Sequence, residues 1–308
     1  KVQANEYLKK ASFSKEADAL VRIPVVWQIL HSSSVADSYI TMTQINNEMA
    51  WLNEWYSASN TYYNDASSFW DGDIAVASDF QIEFVLASQD PNGNPTTGVV
   101  YRETSVASTC GSYSIFRQEE GGLDLWDSLQ FMNIYTCGNI GGAAGYAYLP
   151  STNTHERDGI VLLSQYVGAD FITGSVLAHE VGHWLGLQHT FSGCDSVGDG
   201  VADTPPTSSP AFDYVTGGAA CPGQSNMGDY DFWSCSTSTP VMIQNCMDYN
   251  YEDCKSYFSK GQVAVMRSYL DTSTSVRFGL KTSIGLSSTN TCTPSCGGNV
   301  CGSDGCGG

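Results

Sequence analysis

The spacing of apolar and polar residues changes several times along this chain, and each change marks an element. From Arg22 to Leu30, "RIPVVWQIL" is apolar at most positions, the pattern of a strand buried on both faces. "TMTQINNEMAWLNEWYS" sets Ile45, Met49, Leu52 and Tyr56 three or four residues apart, which predicts an amphipathic helix. In "QIEFVLA" the residues Ile82, Phe84 and Leu86 recur at every second position, as in a half-buried strand. "NIYTCGNI", "GYAYLP" and "GIVLLSQ" read as further strands. A helical period returns at Val176, Leu177, Val181, Trp184 and Leu185. It returns once more in "KGQVAVMRSYL", with Val263, Met266 and Leu270 on the inner side. No internal repeat is present. The expected class is α+β, a twisted sheet against two main helices.

Between Cys194 and Cys254 the periodicity fades into Gly, Asp, Ser and Pro, a composition that rarely holds its shape unaided. Asp195, Asp199, Asp203 and Thr204 cluster the oxygen donors that calcium prefers, although their spacing is not that of an EF-hand loop. A calcium site and a solvated acidic turn are both open readings.

The chemistry is concentrated in "LAHEVGHWLGLQHTFSGC". Positions four apart share a helix face, so His179 and His183 point at a common centre. Glu180 borders that centre, where a carboxylate reaches a water without ligating a metal. His189 cannot join the pair if the helix runs straight on. Gly186 can end the helix in a left-handed conformation and return the chain. Three neutral imidazoles with a fourth position open are the pattern of a catalytic zinc, whereas a structural zinc site is closed. Histidines that merely belong to an ordinary helix are the alternative, and the register of Gly186 and His189 argues against it.

His179, Glu180, His183, Gly186 and His189 together resemble the zinc signature of the metzincin metalloendopeptidases. "NCMDY", Asn245 to Tyr249, resembles that clan's methionine turn, with Met247 as the methionine. Within the clan the chain is most similar to the pappalysin family, through "HEVGHWLGLQHTF", "GDGVADTPP" and "NCMDY". The weaker phrases "IPVVWQILH", "DPNGNPTTG" and "GGAAGYAYLP" extend the likeness. It runs from about Arg22 to Leu270. It implies a metzincin-like fold with a mostly parallel mixed sheet, an active-site cleft and an irregular, disulfide-stapled C-terminal subdomain. Residues 1–189 would form the first catalytic subdomain, 190–285 the second, and 286–308 a Gly/Cys-rich tail. By the same likeness, Cys194 pairs with Cys235 and Cys221 with Cys254, and calcium is favoured over a solvated turn. Cys110 with Cys137 is a further expected pair. Cys246 departs from the family, which usually has a bulkier residue there; it is either a buried thiol or a partner for a tail cysteine.

Composition agrees with this reading and narrows it. A chain of 308 residues, 42% hydrophobic and 15% charged, can bury a sizeable core. The net charge of -19, with only 13 Lys and Arg and no basic run, argues against nucleic acid and anionic membranes as partners. Eleven cysteines point to an oxidising compartment and hence to secretion. A leader or inhibitory pro-segment is expected upstream of "KVQANEYLKK". Cys292, Cys296, Cys301 and Cys306 lack the pairs of a zinc ribbon, and suit either a small disulfide-bonded appendage or the edge of a longer repeat.

The function these residues imply is a secreted, monomeric zinc endopeptidase acting on polypeptides. Zinc on His179, His183 and His189 would activate a water, and Glu180 would serve as general base. Tyr249 would stabilise the oxyanion and Met247 would pack beneath the ligands. The substrate is expected along an edge strand at Gly145, Tyr146 and Ala147, which read equally well as turn residues. Glu252 and Asp253 are candidates for an acidic pocket, with Lys255 as the counter-argument. The alternative function is a catalytically silent or secondary protease domain in an extracellular adhesion protein.

Overall fold

The computed structural model describes residues 19–60, 77, 79–108, 110, 113–151, 155–170, 174–195, 198–210, 235, 242–250 and 252–287. The expected Cys221–Cys254 pair and the cysteines of the tail fall outside these residues, although Cys254 is disulfide-bonded.

The long apolar run becomes β1 (Val21–His31), the axis of a six-stranded sheet. Its 11 residues accommodate two neighbours on one edge: β2 (Ile82–Leu86) pairs with its first half and β3 (Val99–Glu103) with its second, both parallel. On the other edge come β4 (Met132–Cys137) and β6 (Ile160–Leu163), also parallel. β5 (Gly145–Ala147) closes the row antiparallel to β6 and forms the sheet edge. The sheet is therefore mixed and mostly parallel, as the family resemblance implies.

Both faces of the sheet are covered, which explains why β1 is apolar at most positions. Ile23, Val25, Trp27 and Ile29 face a large core with Met132, Ile134, Ile160 and Leu162. That core is closed by α1 (Met42–Tyr56), α2 (Gly174–Trp184) and α3 (Lys260–Asp271). Leu30, Tyr135, Cys137 and Val161 face a second cluster under the 106–125 segment. There a disulfide joins Cys110 to Cys137, Cα to Cα 5.9 Å.

Two helix starts follow directly from local sequence. Thr41 with Gln44, and Ser259 with Gln262, each form a reciprocal capping box that satisfies backbone N–H groups left free at a helix N-terminus. The inner face of α3 departs from expectation in one position. Val263 is only half-buried, because Gln262, Val265, Met266 and Leu270 form the stripe that turns inward. β3 was not legible in the sequence, since "VVYRE" is half-buried at best and lacks alternation.

α1 also steadies the approach to α2. Gln44 Nε2 donates to the Val167 carbonyl at 3.2 Å, and the buried Glu48 carboxyl accepts from Gly168 N–H at 2.8 Å. Burial raises the Glu48 pKa from 4.5 to about 7, with Asp170 adding to the rise and the Gly168 bond opposing it. A carboxyl whose folded pKa is raised contributes stability in its neutral form. That contribution is complete below pH 4.5 and is lost as pH rises through about 7. Glu48→Gln is therefore expected to raise the melting temperature at about pH 8 and to leave it nearly unchanged below the carboxylate range, as read by thermal denaturation at both pH values.

Candidate active site

Helix α2 carries His179 and His183 on one face and stops at Trp184. The stop is a Schellman turn: Leu187 N–H donates to the Gly182 carbonyl at 2.9 Å and Gly186 N–H to that of His183 at 2.8 Å. Gly186 has φ +100°, and a Cβ there would lie 2.1 Å from the Tyr269 ring, so conformation and space both demand glycine. A buried ion pair fixes the same helix end. Arg277 bonds Asp158 through both terminal nitrogens at 2.6 and 2.7 Å, with both side chains fully buried. The guanidinium lies 3.7 Å above the Trp184 ring and donates to the Trp184 carbonyl.

The turn brings His189 back to the helix. Its Nε2 lies 3.3 Å from Nε2 of His179 and 3.0 Å from that of His183. Among the described residues, these three histidines are the group of ligating side chains whose atoms all lie within 4.8 Å of one another. Nδ1 of His179 donates to the Cys246 carbonyl at 2.6 Å and Nδ1 of His183 to the Leu187 carbonyl at 2.8 Å. A carbonyl at Nδ1 places the ring proton there and leaves the Nε2 lone pair free to ligate. Burial lowers the pKa of His179 well below its ordinary value, lowers that of His183, and brings His189 to about 4. The rings are neutral near pH 7. Converging lone pairs with little water around them fit a divalent, imidazole-preferring cation such as zinc, and three ligands leave a further position open.

Glu180 lies at the same centre and against the sheet edge. A Cβ on Gly145 of β5 would fall 2.9 Å from Glu180 Cγ, so only glycine lets the strand pass this closely. Burial pushes the Glu180 pKa up to about 8, opposed by Lys255 and reinforced by Glu252. Tyr249 is 44% exposed, its ring 4.5 Å from that of His189 and 5.7 Å from that of His179. Burial, then Glu180, raises its pKa. On β5, Gly145, Tyr146 and Ala147 pair with Leu162, Val161 and Ile160, which leaves their other edge unpaired in the sheet. Tyr146 turns its hydroxyl to the Cys110 carbonyl, 3.2 Å away on the far face.

The segment beneath the histidines contributes residues that spacing alone did not reveal. Met247 is fully buried, and its Sδ would lie 2.5 Å from a Cβ placed on Gly182, between the two helical histidines. Asn245 and Gln262 exchange two amide hydrogen bonds at 2.8 and 3.0 Å, and Asn245 Oδ1 also accepts from Met247 N–H. The turn that supplies the Cys246 carbonyl is thus bolted to the capping box of α3. Thr190, next to His189, donates to Asp248 at 2.9 Å, and its N–H donates to the Met247 carbonyl. Asn245 and Asp248 stand within the quoted "NCMDY", but their partners Gln262 and Thr190 are far away or chemically plain in sequence.

Other expectations meet the structure less directly. Glu252 is engaged by the buried Lys255 at 2.9 Å and by the Ser175 hydroxyl, so it does not stand as a free acidic pocket. Asp203 is spent at the start of α3, where it accepts from Ser259 Oγ and Gly261 N–H. Asp195 accepts from Gly198 N–H, and Thr204 donates to Asp199 Oδ1 at 2.7 Å. The three carboxylates do not converge in the way the histidines do. Cys194 and Cys235 are joined by a disulfide, and Cys246 is a buried free thiol.

Comparison with known proteins is consistent with this geometry. The family model Peptidase_M43, described as pregnancy-associated plasma protein-A, matches residues 117–271. An extracellular metalloprotease of Neurospora crassa is 28% identical over 278 residues, covering 85% of this chain and 80% of that protein. Extracellular metalloprotease 1 of Coccidioides posadasii is 40% identical over 147 residues, 44% of this chain and 48% of the relative. Among solved structures, mature mirolysin of Tannerella forsythia in complex with a cleaved peptide superposes with a TM-score of 0.71 at 30% identity, covering 86% of this chain and 97% of that one. A promirolysin mutant gives the same TM-score at 29% identity, covering 91% of each chain.

The glycine turn yields a direct test. Gly186→Ala is expected to cost about 2–4 kcal/mol, from a left-handed conformation and a ring clash together. It should also weaken zinc binding at least tenfold by displacing His189, as read by calorimetric zinc titration beside a denaturant melt.

Proposed function

The chain belongs to the Peptidase_M43, or pappalysin, family of metallopeptidases, and from that premise we propose that it is a secreted, zinc-dependent endopeptidase with Glu180 as its general base. The observation that carries this reading is the convergence of three neutral imidazoles, one buried and two half-buried, beside a buried carboxyl that faces the sheet edge. His179, His183 and His189 would hold the metal. When bound there, zinc supplies Lewis acidity toward a water and a peptide carbonyl.

The chain's own residues supply the rest. Glu180, kept in a dry setting with a raised pKa, is suited to take a proton from the attacking water and return it to the leaving amine. Tyr249, part exposed beside His179 and His189, would donate its hydroxyl to the oxygen on which negative charge develops. An extended polypeptide would add a strand to the free edge of β5, with its cleaved bond near Gly145 and Glu180. The structure of mature mirolysin in complex with a cleaved peptide supports polypeptide substrates. Secretion is supported by the disulfides at Cys110–Cys137 and Cys194–Cys235 and by the extracellular relatives. No helix among the described residues is long and apolar enough to cross a membrane, and the reading includes a monomer in solution.

Calcium is a second ion in this reading, and Asp199 is its best support. That carboxyl is 7% exposed, burial raises its pKa to about 6, and its Oδ2 has no hydrogen-bond partner among the described residues. An added cation would satisfy it. Millimolar calcium is expected to raise the melting temperature of the native protein and not that of Asp199→Asn; equal shifts in both would remove calcium from this position.

The general-base role is tested with Glu180→Gln. Cleavage of unfolded casein should fall by about 10²–10⁴-fold while the zinc content stays at that of the native protein. A variant that keeps its zinc and cleaves as fast as the native chain would end the proposal.

A further inference from the structure

Six arginines occur in the chain, and five are tied to acceptors. Arg22 bonds Glu83, Arg102 bonds backbone carbonyls, Arg117 bonds Glu120, Arg267 bonds Asp271 and Arg277 bonds Asp158. Arg157 differs. Its guanidinium carbon lies 4.9 Å from the ring centroid of Tyr113 and 4.9 Å from that of Tyr148, and it has neither a hydrogen bond nor an ion pair among the described residues. The rings hold it by cation–π attraction, but an aromatic face gives the five N–H groups no acceptor. In a protein of net charge -19, where carboxylates are abundant, this guanidinium is fixed in place and still open to an anion.

Its place in the fold connects it to the edge strand. Arg157 lies three residues before Ile160, the partner of Ala147 on β5, and Tyr148 directly follows that strand. The next residue, Asp158, is locked by the buried Arg277 pair, so the backbone carrying Arg157 is anchored. Gly145 marks the other end of β5, against Glu180. Three residues of extended chain separate Gly145 from Tyr148, roughly 10 Å at the rise of a strand. An antiparallel pairing is the more stable one for a peptide added to this edge. A peptide in that direction has its upstream residues beside Tyr148 and its cleaved bond beside Gly145.

We propose that Arg157, clamped between Tyr113 and Tyr148, is a specificity-determining residue that selects an acidic side chain three or four residues upstream of the cleaved bond. The inference rests on the edge-strand reading of substrate binding given above. It adds a charge preference on the upstream side, set by a bidentate guanidinium–carboxylate contact at the sheet edge, on the face that carries Tyr146 and Tyr148.

The test uses two peptides that differ only by Glu or Gln at the third and fourth upstream positions, with unfolded casein as a reference substrate. The native enzyme should favour the Glu peptide by about fivefold in kcat/KM, the scale of a partly exposed ion pair, and added salt should shrink the ratio. In Arg157→Met, which keeps the stem between the rings, the ratio should fall to about one. The Gln peptide should be cleaved at the native rate, which shows that the site is intact. Equal cleavage of both peptides by the native enzyme, a preference that survives in the variant, or a Glu preference found only downstream of the bond would each overturn the proposal and leave the peptidase reading standing. Failure to cleave casein as well as both peptides would instead sink the peptidase reading, and this inference with it.

Discussion

The hydrogen bond from His179 Nδ1 to the Cys246 carbonyl is the contact on which the site depends. It joins a helix to a turn that lies 67 residues later in the chain, and it decides which nitrogen of the ring faces the centre. Holding three imidazoles with their Nε2 atoms together is unfavourable in the absence of a cation, because lone pairs face one another in a poorly hydrated space. The surrounding structure has to impose that arrangement. It does so by tying each participating segment to something rigid: α2 to the sheet through the core, its C-terminal end to Arg277 and Asp158, and the Met247 turn to α3 through Asn245 and Gln262.

This view explains where polar groups are buried. Arg277, Asp158, Asn245, Gln262, Asp248 and Thr190 are all largely hidden from solvent and all hydrogen-bonded. Buried polar pairs of this kind contribute little net stability beside well-packed apolar groups, while losing one partner is costly. Here they define one arrangement of the ligand-bearing segments. Glu180 fits the same logic, since its dry position against Gly145 keeps its proton affinity high and its side chain at the sheet edge.

Much of this was legible in the sequence because strong periodicities and one dense motif carry it. The run at Arg22 to Leu30 reads as a two-face buried strand because β1 is covered on both sides. His179 and His183 were placed by helical geometry and His189 by a chain reversal at Gly186, whose φ is left-handed. What escaped has a physical cause. β3 is held by its backbone pairing with β1 and buries little, so its side chains show no pattern. The pairing of Arg277 with Asp158 spans 119 positions, and neither residue has a local signal. Lys255 counted against Glu252 already in the sequence, and the fold adds Ser175 to it, while Asp203 looked like a cation ligand until it met the start of α3.

The metal would be held by His179, His183 and His189 through Nε2, with a further position open and with the Cys246 thiol, part of the turn beneath, outside its shell. X-ray absorption at the zinc edge of the purified protein tests this arrangement most directly. The expected result is one zinc per chain, with three imidazole nitrogens and a light fourth donor at about 2.0–2.1 Å and no sulfur in the shell. A sulfur scatterer near about 2.3 Å, or fewer than three imidazoles, would contradict it.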